Sequence, residues 1–259
     1  MEKAMIFAAG LGTRLRPLTD TMPKALVPVA GRPILGYQLE RLAAAGVKEV
    51  VVNVHHFAEQ VIRYIEEHDF GLCVRVSDER DELLDTGGGL ARARQWLDVG
   101  TPVLVHNVDI LSNIDLRSWS SAHPDGTTLL VSERQTQRYL LFDEENRLVG
   151  WTNVATGQVR SPYAGLDVSR CRRYAFSGIQ LFSPRLFRLM EGWPRRFSII
   201  DFYLSVCREE PIYGCSEPGL RLLDIGKPAA LAAAEGFLAT VGSPSGVGKL
   251  PPAASSVGE

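Results

Sequence analysis

Between Ala8 and Lys24 the chain reads AAGLGTRLRPLTDTMPK, which gathers two glycines, two arginines and a lysine into one short segment. Such residues can hold a polyphosphate. Glycines let backbone N–H groups approach an anion with no Cβ in the way. Successive N–H groups in such a turn form a concave nest for phosphate oxygens, and guanidinium and ammonium groups beside it supply the opposing charge. The apolar run Ala4 to Ala8 predicts a buried strand. Ala8-Ala9-Gly10-Leu11-Gly12-Thr13 then reads as a phosphate loop at its carboxyl end, with Arg14, Arg16 and Lys24 alongside. An ordinary tight turn explains a Gly-x-Gly alone, but it leaves the attached bases without a purpose.

Spacing excludes two better-known glycine loops. A Walker A loop needs Gly-Lys-Ser/Thr four residues after its first Gly, and nothing after Gly10 fits. The dinucleotide fingerprint needs a Gly or Ala three positions after the second Gly, where Leu15 stands.

Two carboxylates recur at strand ends. Val103-Leu104-Val105-His106-Asn107-Val108-Asp109 is an apolar run delivering an acid, and Leu222-Leu223-Asp224-Ile225-Gly226 repeats the arrangement much later. A surface acid or a helix cap would explain either Asp alone. Two of them converging on a phosphate site suit a hard cation such as Mg²⁺, with water and phosphate oxygens completing an octahedron. His106 alternates with Asn107 along the strand and reads as a hydrogen-bonded core histidine. His55 and His56 read as structural. Asp85-Thr86-Gly87-Gly88-Gly89 precedes a predicted helix, Leu90 to Leu97. Its glycines fit either a flexible turn or backbone lying against something planar or close.

The run Ala8 to Thr19, with Pro23-Lys24 and Pro28-Val29-Ala30-Gly31-Arg32-Pro33, resembles the signature of the sugar-1-phosphate nucleotidylyltransferases, most of all their short bacterial type. The likeness fades toward Ala230. It implies a nucleoside triphosphate and a sugar-1-phosphate as substrates, Mg²⁺ as cofactor, and Ala8 to Thr13 on the nucleotide. It also implies Thr86, Gly87 and Gly88 holding base and ribose through backbone groups. Asn107 and Asp109 match an Asn-Gly-Asp pattern in which Val108 replaces Gly; a β-branched residue tolerates unusual φ poorly, so ordinary strand geometry is expected there. Asp224-Ile225-Gly226-Lys227-Pro228 matches the second acid. The Glu-Lys-Pro whose Lys meets the sugar phosphate in relatives is absent at Trp151-Thr152-Asn153. That leaves Arg138, Arg160 or Arg173 for the acceptor phosphate, with Asn153 and Gly178 near the sugar.

The implied chemistry is in-line attack of the sugar phosphate on the α-phosphorus, with pyrophosphate leaving. The nucleophile is already anionic, so no general base is required and catalysis reduces to positioning and charge neutralisation. Arg14 is expected on the departing β- and γ-phosphates and Lys24 on the α-phosphate or the incoming one. Asp109 and Asp224 are expected on the metal. A related transferase with a non-sugar acceptor (phosphocholine or a pterin cofactor), or a non-catalytic nucleotide sensor on the same fold, are the alternatives. The base and the sugar are left open.

Alternating strand and helix signals must position these groups. Val50 to Val54, Val74-Val76 and Val103 to Val105 predict further strands, separated by amphipathic helices that begin at Pro33 and near Phe57 and by the helix after Gly89. This predicts an α/β, Rossmann-like, mostly parallel sheet with helices on both faces and ligand beyond the carboxyl ends of the strands. After Asp115 come Thr127 to Val131, Tyr139 to Phe142 and Leu148 to Thr152, read as a small β-rich insertion on the sugar side. Ser161 to Arg173 reads as a loop over the site, Tyr174 to Phe182 as a strand, and Lys227 to Thr240 as an alanine-rich helix. The expected organisation is one domain, 1–241, with a nucleotide half (1–115) and an acceptor half (116–241), then a flexible tail, 242–259.

Lys plus Arg number 28 against 30 Asp plus Glu, so no global basic field recruits nucleic acid or anionic lipid. No apolar run reaches membrane-span length, and the apolar start is too short for a signal peptide. Four scattered cysteines fit free thiols of a reducing compartment, so a cytoplasmic location is expected. Oligomeric state is not legible, and no C-terminal repeat suggests an appended β-helix.

Overall fold

The computed structural model describes residues 1–241. The tail expected at 242–259 lies outside the described residues. The first half runs β1 (Lys3–Phe7), β2 (Pro28–Val29), β3 (Arg32–Pro33), α1 (Ile34–Ala44), β4 (Glu49–Val54), α2 (Ala58–Glu66), β5 (Cys73–Asp78), α3 (Asp85–Leu97), β6 (Val103–Asn107) and β7 (Ile110–Ser112). The second half continues with α4 (Leu116–Ala122), β8 (Thr127–Ser132), β9 (Arg138–Phe142), β10 (Leu148–Asn153), β11 (Gln158–Arg160) and β12 (Arg172–Phe182). It ends with α5 (Pro184–Leu189), α6 (Ile199–Val206), β13 (Ile212–Ser216), β14 (Leu222–Asp224) and α7 (Pro228–Val241).

Strands β6, β1, β4 and β5 are parallel neighbours in that order, as the β-branched runs predict. Alternation along them sorts the core into two layers. Ala4, Ile6, Val50 and Val52 face α1, α2, α4 and α7, where Leu35, Leu39, Val61 and Trp119 cover them. Met5, Val51 and Val105 face α3, α5 and α6, with Leu90, Leu97, Phe187 and Phe202. Helices therefore lie on both faces, and the residues that follow β1, β4, β5 and β6 open at one end of the sheet.

The second half is mostly antiparallel. β9, β10 and β11 form a meander, and β13 alone runs parallel, against β8. The long strand β12 joins the halves, pairing with β9 through Arg172–Tyr174 and with β6 through Ile179–Phe182. Ser161 to Arg173 is not a lid. Its side chains serve the base of the meander: Ser161 Oγ donates to the Val149 carbonyl at 2.6 Å and Arg172 to Asn146 at 2.7 Å.

The helix at Asp85 begins five residues earlier than the periodicity suggests. Glycine disfavours helix, but tertiary packing overrides propensity. Here the Gly87 and Gly88 amides both donate to the Phe197 carbonyl, at 2.9 and 3.2 Å. Helix α4 carries no strong periodic signal and is started by its cap, Asp115 Oδ1 accepting from the Arg117 and Ser118 amides. Among the described residues no helix is long and apolar enough to cross a membrane.

Candidate active site

A cavity of about 380 Å³ opens at the carboxyl ends of β1, β4, β5 and β6. Ala8, Ala9 and Gly10 form one wall and Asn107, Val108 and Asp109 another; Lys24 lies between them, and Asp85 and Thr86 stand at the start of α3. Of the residues singled out by type and spacing, Ala8, Ala9, Gly10, Lys24, Thr86, Asn107 and Asp109 line this one cavity.

The loop after β1 is pinned from below. Asn53, buried in β4, turns its Oδ1 to the amides of Ala8 (2.7 Å) and Ala9 (3.4 Å). Those two N–H groups therefore belong to the scaffold rather than to a phosphate nest. The amides of Gly10, Leu11 and Gly12 have no protein acceptor among the described residues. Gly12 is left-handed (φ +64°), and a Cβ there would meet Thr19 at 2.8 Å and Lys24 Cβ at 3.0 Å. Only glycine lets the loop fold back onto the lysine. Leu11, Thr13 and Arg14 continue past the cavity wall, Arg14 exposed, while Arg16 pairs with Asp20 at 3.2 Å.

The backbones carrying the two acids are neighbours. β14 pairs antiparallel with β7 so that Asp224 lies opposite Ile110, and the Ile225 amide donates to the Asp109 carbonyl at 3.0 Å. Lys24 Nζ is ion-paired with Asp109 Oδ2. Buried Gly226 has no room for a side chain, because a Cβ would meet Arg14 Nη2 at 2.7 Å and Asp224 Oδ1 at 2.8 Å. Asp224 and Arg14 thus flank the same glycine. Val108 lies in the turn after β6 rather than in strand geometry, but with no positive φ, so its β-branch is tolerated.

His106 is the core histidine expected: wholly buried, with Nδ1 donating to the Asn107 carbonyl at 2.7 Å. Burial pushes its pKa down to about 3. Gly178 (φ +76°) lies where β12 bulges, and a Cβ there would strike Asn107 Nδ2 at 2.8 Å. It therefore borders the 380 Å³ cavity through Asn107.

Three expectations are corrected. Gly87 and Gly88 do not present their amides to a ligand; both donate to Phe197, and a Cβ on either would collide with Phe197 or the Arg195 carbonyl. The close object those glycines accommodate is the chain itself. Thr86 remains on the cavity, its Oγ1 accepting from the Ile199 amide at 3.0 Å. Asn153 caps its own turn, Oδ1 accepting from Ala155 N at 3.1 Å, and lines no described cavity. Arg173 lines neither this cavity nor the one beside Arg138 and Arg160.

Two residues were missed. Glu79, fully buried beneath α3, accepts from Asn53 Nδ2 at 2.7 Å and from the Leu84 amide at 3.2 Å. Burial raises its pKa, against the lowering effect of those two donors. Asn53 thereby ties the β1 loop to the start of α3. A lone amide inside the run Val50 to Val54 was the available signal for Asn53; Glu79 had none.

A second cavity, of about 340 Å³, shares no lining residue with the first. Arg196 lines the first and Ser198 the second, on one short segment. Arg138, Arg160 and Trp151 line the second.

The family described as nucleotidyl transferase matches residues 3–138. The N-acetylmuramate alpha-1-phosphate uridylyltransferase of Caulobacter vibrioides is 33% identical over 246 residues, covering 91% of this chain and 96% of that protein. This chain belongs to the nucleotidyl transferase family. The catalytic subunit beta of mannose-1-phosphate guanylyltransferase from Dictyostelium discoideum is 28% identical over 233 residues, covering 87% of this chain and 61% of the relative's length. Among solved structures, a UDP-glucose pyrophosphorylase from Acinetobacter baumanii has a TM-score of 0.73 at 15% identity, covering 92% of this chain and 93% of that one. This last likeness shows the shared fold.

Proposed function

We propose that the chain transfers a nucleoside monophosphate from a nucleoside triphosphate to a sugar-1-phosphate, releasing pyrophosphate. One observation carries the reading. The backbones of two acids more than a hundred residues apart lie side by side, with Lys24 ion-paired to Asp109, Arg14 against the glycine that follows Asp224 by two residues, and a nearby loop whose amides have no partner among the described residues. Nothing in that arrangement is poised as a general base, and the buried, neutral His106 faces away from the chemistry. An anionic phosphate nucleophile needs none.

In this reading the Gly10, Leu11 and Gly12 amides and Arg14 hold the β- and γ-phosphates and stabilise the charge that leaves with pyrophosphate. Lys24 neutralises the oxygens at the α-phosphorus as the acceptor oxygen bonds to it and the bridge to the β-phosphate breaks. Asn107 and Thr86 border the ribose and base. Asp109 and Asp224 fit Mg²⁺: both are carboxylates, and no third acidic, His or Cys side chain closes a cage around them among the described residues. A hard ion there would keep positions open for water and phosphate. When bound it would supply Lewis-acid neutralisation of the reacting phosphates.

The test is pyrophosphate release from UTP, GTP, CTP and dTTP against a panel of sugar-1-phosphates with Mg²⁺. Turnover that requires both substrates supports the proposal. Tight triphosphate binding with no release from any pair would instead favour a nucleotide sensor.

A further inference from the structure

Helix α1 carries a polar residue where its pattern calls for an apolar one. Ile34, Leu35, Leu39 and Leu42 form the stripe that packs on the sheet, and Gln38 falls in the middle of it, 1% exposed. A buried side-chain amide has to be hydrogen-bonded. Gln38 Nε2 donates to the Ile110 carbonyl at 2.6 Å and to the Val108 carbonyl at 3.3 Å. Those carbonyls stand on either side of Asp109, and the two N–H bonds of one amide serve both. Three residues on, along the same face of α1, Arg41 donates to the Ile114 carbonyl at 3.0 Å and reaches Ser112 Oγ at 3.4 Å. The helix thus grips β7 at both ends.

Each carbonyl around Asp109 is tied to another element. Val108 and Asp109 form the two-residue turn between β6 and β7. The peptide entering Asp109 is held at the Val108 carbonyl by Gln38, and the one leaving it at the Asp109 carbonyl by the Ile225 amide, at 3.0 Å. The next is held by Gln38 again, at Ile110, the residue paired with Asp224. A carboxylate on so short a side chain goes where its peptides point. Leucine or methionine at position 38 would fill the core equally well and would leave both carbonyls unpaired. The amide therefore serves the turn and not the packing.

Resting on the function proposed above, we infer that Gln38 is a positioning residue for the transfer reaction: through the peptides on either side of Asp109 it aims that carboxylate at Lys24 and the divalent ion. It touches no substrate. Removing groups that orient a metal's ligands typically changes affinity or rate about 10–100-fold. Gln38 acts through peptide groups rather than on the carboxylate itself, so the lower end, about tenfold, is expected.

The test uses the whole chain with two substitutions. Gln38→Met keeps the volume and loses both N–H groups; Gln38→Glu keeps the shape and sets an acceptor where the donor was. Leu39→Ala, on the same helix and away from both carbonyls, supplies a loss of stability without loss of the clamp. Titration with Mn²⁺ alone, followed by electron paramagnetic resonance, counts bound ion without nucleotide or turnover. Steady-state pyrophosphate release gives the Mg²⁺ requirement, kcat and the KM for the sugar phosphate. Both Gln38 variants should raise the Mn²⁺ Kd and the Mg²⁺ requirement about tenfold and lower kcat, with the sugar-phosphate KM within about twofold of wild type. Leu39→Ala should lower the urea midpoint and leave ion binding where it was. Mn²⁺ affinity unchanged in both Gln38 variants, or weakened as much in Leu39→Ala, overturns the inference. So does failure of both Gln38 variants to fold, which would make the amide a fold residue only. If the wild type releases no pyrophosphate from any pair, the Mn²⁺ titration decides. Weaker binding in both Gln38 variants then keeps the clamp while the transfer reaction falls, and a wild type that binds no Mn²⁺ sinks both.

Discussion

Replacing Asn53 with alanine tests whether the phosphate loop and the start of α3 are one mechanical unit. The side chain is 2% exposed and makes two bonds of 2.7 Å, accepting from Ala8 N and donating to Glu79 Oε1. Truncation strands a buried amide and removes one of two described donors from a buried carboxylate. A stranded buried group costs about 1–3 kcal/mol, with charged partners toward the upper end, which gives a total of about 3–5 kcal/mol. With a urea slope of about 3 kcal/mol per molar, the unfolding midpoint should fall by about 1 M or more. The freed loop should also raise KM for the triphosphate more than KM for the sugar phosphate. Asn53→Asp separates the two bonds. It keeps an acceptor for Ala8 but sets a second carboxyl against Glu79, whose pKa burial already raises. Its deficit relative to wild type should therefore be small near pH 5, where the pair can share a proton, and larger at pH 8. A midpoint within about 0.3 M of wild type for Asn53→Ala, with unchanged triphosphate KM, refutes the coupling.

Lys24→Ala and Asp109→Ala should each lower turnover about a hundredfold or more in steady-state pyrophosphate release, as for loss of preorganised charge partners in other enzymes. Gly88→Ala drives a Cβ into the Arg195 carbonyl and should cost about 1–3 kcal/mol in denaturant unfolding. Gly236→Ala in α7, where nothing lies within 4 Å, should stabilise by about 0.5–1 kcal/mol. His106 titrates near 6.5 when unfolded and about 3 when folded. Its contribution to stability is therefore full above pH 6.5 and is lost as pH falls toward 3, because only the unfolded chain takes the proton. That removes about 2 kcal/mol by pH 5, and urea midpoints from pH 5 to 8 should show the slope in wild type but not in His106→Gln.

What could be read from the chain alone was whatever its local order encodes. Val50 to Val54 is β-branched and buried on both sides, so its strand was plain. The Ala8 to Lys24 run keeps glycine, arginine and lysine close in sequence and close in space, so the loop was legible down to single residues. Partners far apart were not. Gly87 and Gly88 announce a close approach by their type, but the object approached is Phe197, more than a hundred residues on. Their place on a ligand was what the family resemblance implied, not what their glycine type alone shows. Glu79 looks like any acid at a strand end until Asn53 and Leu84 enclose it. Strand β13 (IYGCS) and helix α4 are too short for periodicity to reveal, and their neighbours decide them.

The same non-local closure explains why the site straddles the halves. The Asp224 segment reaches Asp109, through the Ile225 amide, only because β14 pairs with β7, and Thr86 is fixed by the Ile199 amide from the second half. Neither contact exists until nearly the whole described chain has folded. A ligand held by Asp109, Asp224 and Thr86 together therefore binds the native state alone, and must stabilise it by mass action. Triphosphate with Mg²⁺ at a hundred times its Kd should add about 2.7 kcal/mol to unfolding. In Asp224→Ala that increment should shrink in step with the loss of affinity. An undiminished increment would mean that the nucleotide is held without the late strand, and that the pairing of β14 with β7 serves the fold and not the site.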